Sequence, residues 1–216
     1  MSTNVNRKQI LTLAQFSILL AIEAIVCFTP LGTIPFPGVA ATLSHVPVII
    51  AAIVLGPALG ALMGFFFGLF SFLVLSFLAP QPTSLLFTPF YSVNDINGSW
   101  LSLITCFLPR MLLGVIAGLV FRLLQKWFSN EKLSISLAAS GLIASMAHTF
   151  MVLGLAYLII GKDYAATIEM EYKLLLAAFG SVVLSNGVME ALVAVFVAAL
   201  ACPPLLALIK KTSARP

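Results

Sequence analysis

Residues 57–79 read PALGALMGFFFGLFSFLVLSFLA, twenty-three positions without a charged side chain. At about 1.5 Å per residue a helix of that length reaches about 34 Å, enough to cross a hydrocarbon core of about 30 Å. Glycine recurs at the start of the run: Gly56, Gly60, Gly64 and Gly68. Four residues turn a helix by about 400°, so these glycines drift slowly around one face and form a slanted groove. Such a groove lets a second helix approach to backbone contact. Gly114 and Gly118 in a later apolar stretch predict the same kind of packing.

Outward from this run the rest of the chain has the same character. Its 216 residues carry Lys+Arg 11 and Asp+Glu 7, or 8% charged, against 61% hydrophobic, with a mean hydropathy of +1.13. A soluble domain carries about 25% charged residues, so a water-soluble globule is excluded. The expected architecture is an all-α membrane protein, a compact bundle of six transmembrane helices forming one substrate-binding domain over 1–216. The spans are expected at 10–28, 39–55, 57–79, 100–127, 133–160 and 174–209. The first is read as a retained helix: it is too long for a signal-peptide core, Glu23 interrupts it, and no small-residue cleavage site precedes Pro30.

Six spans put both termini on one side, and the cations say which. Arg7, Lys8, Arg122, Lys126, Lys132, Lys210, Lys211 and Arg215 fall on that side, against Lys162 and Lys173 on the other. Cytoplasmic loops carry the excess of Lys and Arg, so both termini are expected in the cytoplasm, with 30–38, 80–99 and 161–173 outside. Because these cations sit at span ends and form no basic face, the net charge of +4 is a topology signal, with no nucleic-acid partner implied. Cys27, Cys106 and Cys202 lie in or beside apolar stretches without metal-ligand spacing and read as small buried hydrophobes, leaving no metal site.

Polar groups inside hydrocarbon are costly, so each is a candidate for function. Glu23, His45, Arg110, His148, Asn186 and Glu190 qualify. Arg110 sits about ten residues into its span, roughly 15 Å deep, where its permanently charged fork matches a carboxylate. That carboxylate is either an anionic solute or the internal partner Glu190. Asn186 and Glu190, four apart, share one helix face and suit hydroxyl and amide groups. His45 lies near the external mouth and His148 deeper. Tyr91 and Asn94 belong to the 80–99 connection, whose length and aromatic, proline and amide content suit a lid over a pocket, or an interfacial anchor. In the first span Ala14, Ser17, Ala21 and Ala24 form one smooth face, for internal packing or for docking another membrane protein.

Among motifs of known chemistry, GxxxxGK[ST], HExxH and GxSxG are all missing from the sequence. The polar groups point to binding, with no catalytic residues and no cofactor expected.

An ordered set of motifs carries a resemblance. Thr42-Leu43-Ser44-His45-Val46-Pro47 running on to Gly56-Pro57, then Phe67-Gly68-Leu69-Phe70-Ser71, Phe87-Thr88-Pro89-Phe90, Pro109-Arg110 with Gly114, and Asn186-Gly187 with Glu190 together resemble the substrate-binding S components of energy-coupling factor (ECF) vitamin transporters. The histidine segment and the Pro-Arg and Asn…Glu pairs are most similar to the pantothenate-specific branch. The resemblance implies a multi-pass protein of the bacterial cell membrane that captures a water-soluble vitamin from outside. It also implies docking through the Ala14–Ser17–Ala21–Ala24 face onto the membrane coupling protein EcfT, driven by two separate ATPase subunits. On this reading Arg110 takes the pantothenate carboxylate, while Asn186, Glu190 and His45 meet its amide and hydroxyls. Alternatives are an S component for riboflavin, hydroxymethylpyrimidine or a pyridoxal-type vitamin, a proton-coupled secondary transporter using Glu190 or His148, and an intramembrane enzyme.

Overall fold

The structure, a computed structural model, describes residues 2–36, 39–93, 96–128 and 132–213. Helix α1 (Ser2–Phe28) leads into a two-stranded antiparallel hairpin, β1 (Thr33–Phe36) and β2 (Val39–Thr42), in which Thr33 pairs with Thr42. Helices α2 (Val46–Val54) and α3 (Pro57–Leu73) follow, α3 running on through a π-helical turn at Val74–Leu78. A 3-10 turn (Pro82–Leu86) and a minimal hairpin, β3 (Ser92–Val93) and β4 (Ile96–Asn97), lead to α4 (Ser102–Trp127) and α5 (Leu133–Thr167). The chain ends in α6 (Tyr172–Val182), a π-helical turn (Val183–Gly187) and α7 (Val188–Ser213).

Among the described residues, five helical segments are long and apolar enough to cross a membrane: Gln9–Phe28, Pro57–Leu78, Ser102–Trp127, Leu133–Thr167 and Tyr172–Ile209. Their outward faces remain apolar. Leu158 is 77% and Leu184 76% exposed, a surface whose fit is to lipid chains and not to water. The all-α membrane architecture stands.

The expected second span at 39–55 is corrected. Val39–Thr42 is a strand and only Val46–Val54 is helical. Nine residues reach about 14 Å, less than half a hydrocarbon core. Val46 through Ile53 are all buried, and a helix apolar on every side belongs inside a bundle. Pro47 suits its first turn, and Gly56, at φ +104°, ends it in a conformation that side chains rarely adopt. The 161–173 connection is also shorter than expected, because α5 continues to Thr167 and α6 begins at Tyr172.

The glycine stripe packs as its spacing predicts. A β-carbon on Gly60 would lie 2.4 Å from the Ala52 β-carbon, and one on Gly64 would lie 2.0 Å from the Arg110 carbonyl oxygen. One on Gly114 would meet the Gly60 carbonyl oxygen at 2.1 Å, and one on Gly118 the Pro57 α-carbon at 2.8 Å. Helices α3 and α4 therefore run antiparallel at backbone contact. Gly141 does the same for α5 against α7, its β-carbon position lying 2.9 Å from the Ala194 carbonyl oxygen.

Among the described residues two apolar clusters result. One surrounds α2 and includes Val48, Ile49, Met63, Phe67, Leu113 and Leu137. The other gathers Leu85 and Leu86 against Ala156, Ile160, Leu175 and Phe179, with Phe87 and Leu153 at its edge.

Candidate functional site

Between these clusters lies a cavity of about 260 Å³, bounded by Phe67 of the first and by Phe87 and Leu153 from the edge of the second. Arg110, His148, Asn186 and Glu190 converge on it, together with Thr42, Ser44, Ser71 and Thr149. A larger groove of about 550 Å³ between α1 and α3 is lined by Leu13, Phe16, Leu59, Leu62 and Phe66 beside Gln9 and Thr12, without a charged group. A small polar solute needs convergent polar groups in an enclosed site, so the smaller cavity is the candidate.

Arg110 is positioned by its own helix. Pro109 has no N–H to donate to the carbonyl of residue 105, four back. The guanidinium takes that acceptor: Nη1 donates to the Thr105 oxygen at 3.3 Å and to the Cys106 oxygen at 2.6 Å. The adjacent Pro-Arg pair is thus one device, a broken helical bond repaired by the next side chain. Two aromatic rings lie against the guanidinium, Phe67 and Phe87, each with its centroid 4.9 Å from Cζ. Arg110 is buried, and its Nε has no hydrogen-bond partner among the described residues.

The internal Arg110–Glu190 pair that the sequence left open is not what holds Glu190. Its Oε1 accepts instead from the Thr42 hydroxyl at 2.5 Å and the Thr42 backbone N–H at 3.3 Å. Beside it, His45 Nε2 donates to the Glu190 carbonyl oxygen at 3.1 Å. Strand β2 and the entry to α2 are thereby fastened to α7. His45 is buried beside Glu190 and is not among the residues lining the cavity.

Asn186 sits in the π-helical turn Val183–Gly187, a local widening of the kind found at functional sites. A β-carbon on Gly187 would lie 3.1 Å from Thr149 Cγ2, so glycine brings this turn close to α5. His148 faces the cavity with its ring 6.1 Å from that of Phe67, and its Nε2 has no partner among the described residues.

Other expected residues lie elsewhere. Tyr91 packs at the edge of the Leu85 cluster, away from the cavity, and Asn94 lies outside the described residues. Glu23 is fully buried on α1. Its Oε1 accepts from the Cys27 thiol at 3.2 Å, and it lies within electrostatic reach of Arg110. Ala14, Ser17 and Ala21 are exposed and Ala24 is half-buried, while Phe16, Leu19 and Glu23 turn inward. The small-residue face therefore looks out of the bundle.

The cavity lining also includes Thr42, Ser44 and Ser71, which the sequence reading did not single out as candidates. Thr42 and Ser44 carried a usable signal, since both stand in the histidine segment. Phe67 and Phe87 stood in motifs of the ordered set without a role assigned to either.

Residues 11–202 match the family described as the substrate-specific component of the ECF transporter. The chain is also 35% identical over 172 residues to the pantothenic acid transporter PanT of Lactococcus lactis subsp. cremoris (strain MG1363), covering 79% of this chain and 80% of that protein.

Proposed function

The chain belongs to the ECF transporter substrate-specific components, and on that premise we propose that it captures pantothenate from outside the cell and releases it inward. It is a transporter component and an integral multi-pass membrane protein. The observation that carries the substrate is the buried Arg110. Among the described residues its guanidinium hydrogen-bonds only to backbone carbonyls, neutral acceptors, and to no carboxylate. Uncompensated buried charge is costly, so such a group calls for an anionic ligand. The name of the 35%-identical relative supports a vitamin with one carboxylate, one amide and two hydroxyls.

Arg110 takes the carboxylate. Asn186 and Glu190 meet the amide and hydroxyls, with Thr149 and His148 alongside. Thr42 and His45 hold Glu190 in place.

Transport then needs a coupling protein and two ATPase subunits on separate chains. The outward face of Ala14, Ser17, Ala21 and Ala24 is the surface that docks. In the membrane the β1–β2 hairpin and α2 together make the second of six passes, and both termini are cytoplasmic. Supporting this orientation, the α2–α3 corner at Gly56 lies beside Arg122, a member of the cation-rich set, its β-carbon position 2.5 Å from the guanidinium Nη2.

Calorimetric titration of the detergent-purified chain with pantothenate tests the reading. Saturable 1:1 binding without ATP or added ions is expected. No binding of pantothenate would remove it as the substrate.

A further inference from the structure

The two rings that enclose Arg110 come from different parts of the chain. Phe67 belongs to α3, whose distance from α4 is set by the glycine contacts. Phe87 follows the 3-10 turn Pro82–Leu86 in the connection between α3 and α4, and this connection is well anchored. Ser84, Leu85, Leu86 and Thr88 are all buried. The Ser102 hydroxyl donates to the Leu85 oxygen at 2.8 Å, the Phe87 N–H to the Ser84 oxygen at 2.9 Å, and the Ser76 hydroxyl to Thr88 Oγ1 at 2.7 Å. Phe87 is therefore a fixed wall of the cavity.

Resting on the reading of pantothenate as substrate, we infer that Phe87 is a specificity-determining residue that makes the site prefer a carboxylate over an uncharged group of the same shape. Aromatic faces carry negative potential and stabilise a cation above them. With Phe67 and Phe87 both 4.9 Å from Cζ, the guanidinium charge is partly balanced in a way that leaves Nε without a hydrogen-bond partner among the described residues. A carboxylate hydrogen-bonded there would balance the charge but would also fill that position. The edge that carries Nε is one at which a carboxylate is bound bidentately. The rings also shield the buried guanidinium from water, which lowers the local dielectric and strengthens its attraction to an anion. An alcohol in the same position gains little from this, because it brings no charge. Removing one ring readmits water to Arg110 and weakens the acid more than the alcohol.

The test compares the affinities of pantothenate and of its alcohol analogue, in which the carboxylate is reduced to a hydroxymethyl group. It uses the full chain and the variants Phe87→Leu, Phe87→Met and Phe87→Tyr. The wild type is expected to prefer the acid by about 10²-fold or more, as a site built around a charged hydrogen-bonding group does. In Phe87→Leu and Phe87→Met, apolar and of similar bulk, the acid loses about tenfold more affinity than the alcohol does. Phe87→Tyr, which keeps the ring, retains the wild-type preference. Equal losses for acid and alcohol in both Leu and Met variants, or an unaltered preference in either folded variant, overturns the inference and leaves the substrate intact. Failure of the wild type to bind pantothenate overturns both.

Discussion

The carbonyl oxygen of Arg110 lies where a β-carbon on Gly64 would come within 2.0 Å of it, so the α3–α4 contact and the placement of the guanidinium are one packing event. Gly64→Ala must separate the two helices and move Arg110 with them. Overpacking of this kind costs about 1–3 kcal/mol. Thermal unfolding in detergent should show the loss, and a pantothenate titration should show weakened binding. Gly154→Ala is the matched control, because a β-carbon there meets nothing within 4 Å; both readouts should stay at wild-type values or rise slightly.

Arg110→Ala removes the charge and Arg110→Lys keeps it without the planar fork. Breaking a buried, hydrogen-bonded charge pair costs about 2–5 kcal/mol, so the Ala variant should bind pantothenate at least tenfold more weakly. Lysine should not restore the affinity, since a point charge lacks the bidentate geometry of the guanidinium that lies against Phe67 and Phe87. Calorimetry on both variants decides this, and full rescue by lysine would refute the fork.

Thr42→Val deletes the hydroxyl that donates to Glu190 Oε1 at 2.5 Å and leaves only the backbone N–H at 3.3 Å. The carboxylate is then free to turn, and pantothenate affinity should fall by about 1 kcal/mol, the scale of one lost hydrogen bond. Thr42→Ser, which keeps the hydroxyl, should bind as the wild type does.

Ala14→Leu combined with Ala21→Leu changes only outward positions of α1. Stability and vitamin binding should change by less than about 0.5 kcal/mol, as for other exposed substitutions. Uptake into vesicles containing the coupling protein and its ATPases should be lost, because the bulky side chains block close approach. Normal uptake would exclude this face from docking.

Pro109→Ala gives residue 109 an N–H that can reclaim the Thr105 oxygen, now shared with Arg110 Nη1. The helix should hold or gain thermal stability while pantothenate binding weakens, by about 1 kcal/mol for the loosened anchor. Stability and affinity moving in opposite directions is the signature to look for.

Hydropathy made the long spans legible, and the four-residue glycine period foretold that another helix would pack on α3 at backbone contact, though not that α4 is that helix. The 39–55 stretch was not legible. A continuous apolar run has no period that separates a strand and a short enclosed helix from a crossing helix. Arg110, Asn186, Glu190 and His148, which line the cavity, stand out in the sequence because polar atoms in an apolar stretch do. His45 stands out equally; that its ring meets the Glu190 carbonyl depends on which way the ring points, which the sequence does not carry. The bond between Thr42 and Glu190 was not legible, because it joins positions 148 apart in the chain. Nor was the placement of Phe67 and Phe87 against Arg110, because a ring in an apolar chain carries no sign of what it packs on.

Pro109 and Arg110 also constrain how this site can change over generations. A chain that loses the proline alone keeps a charge with a weaker hold. One that loses the arginine alone leaves the Thr105 carbonyl buried without its donor, a cost comparable to a lost hydrogen bond. Each single step is penalised through the other residue, so their effects do not add. A lineage that exchanges the carboxylate-bearing vitamin for an uncharged one is therefore expected to replace the two positions together, and to do so at the expense of passing through a poorly folded or poorly binding intermediate.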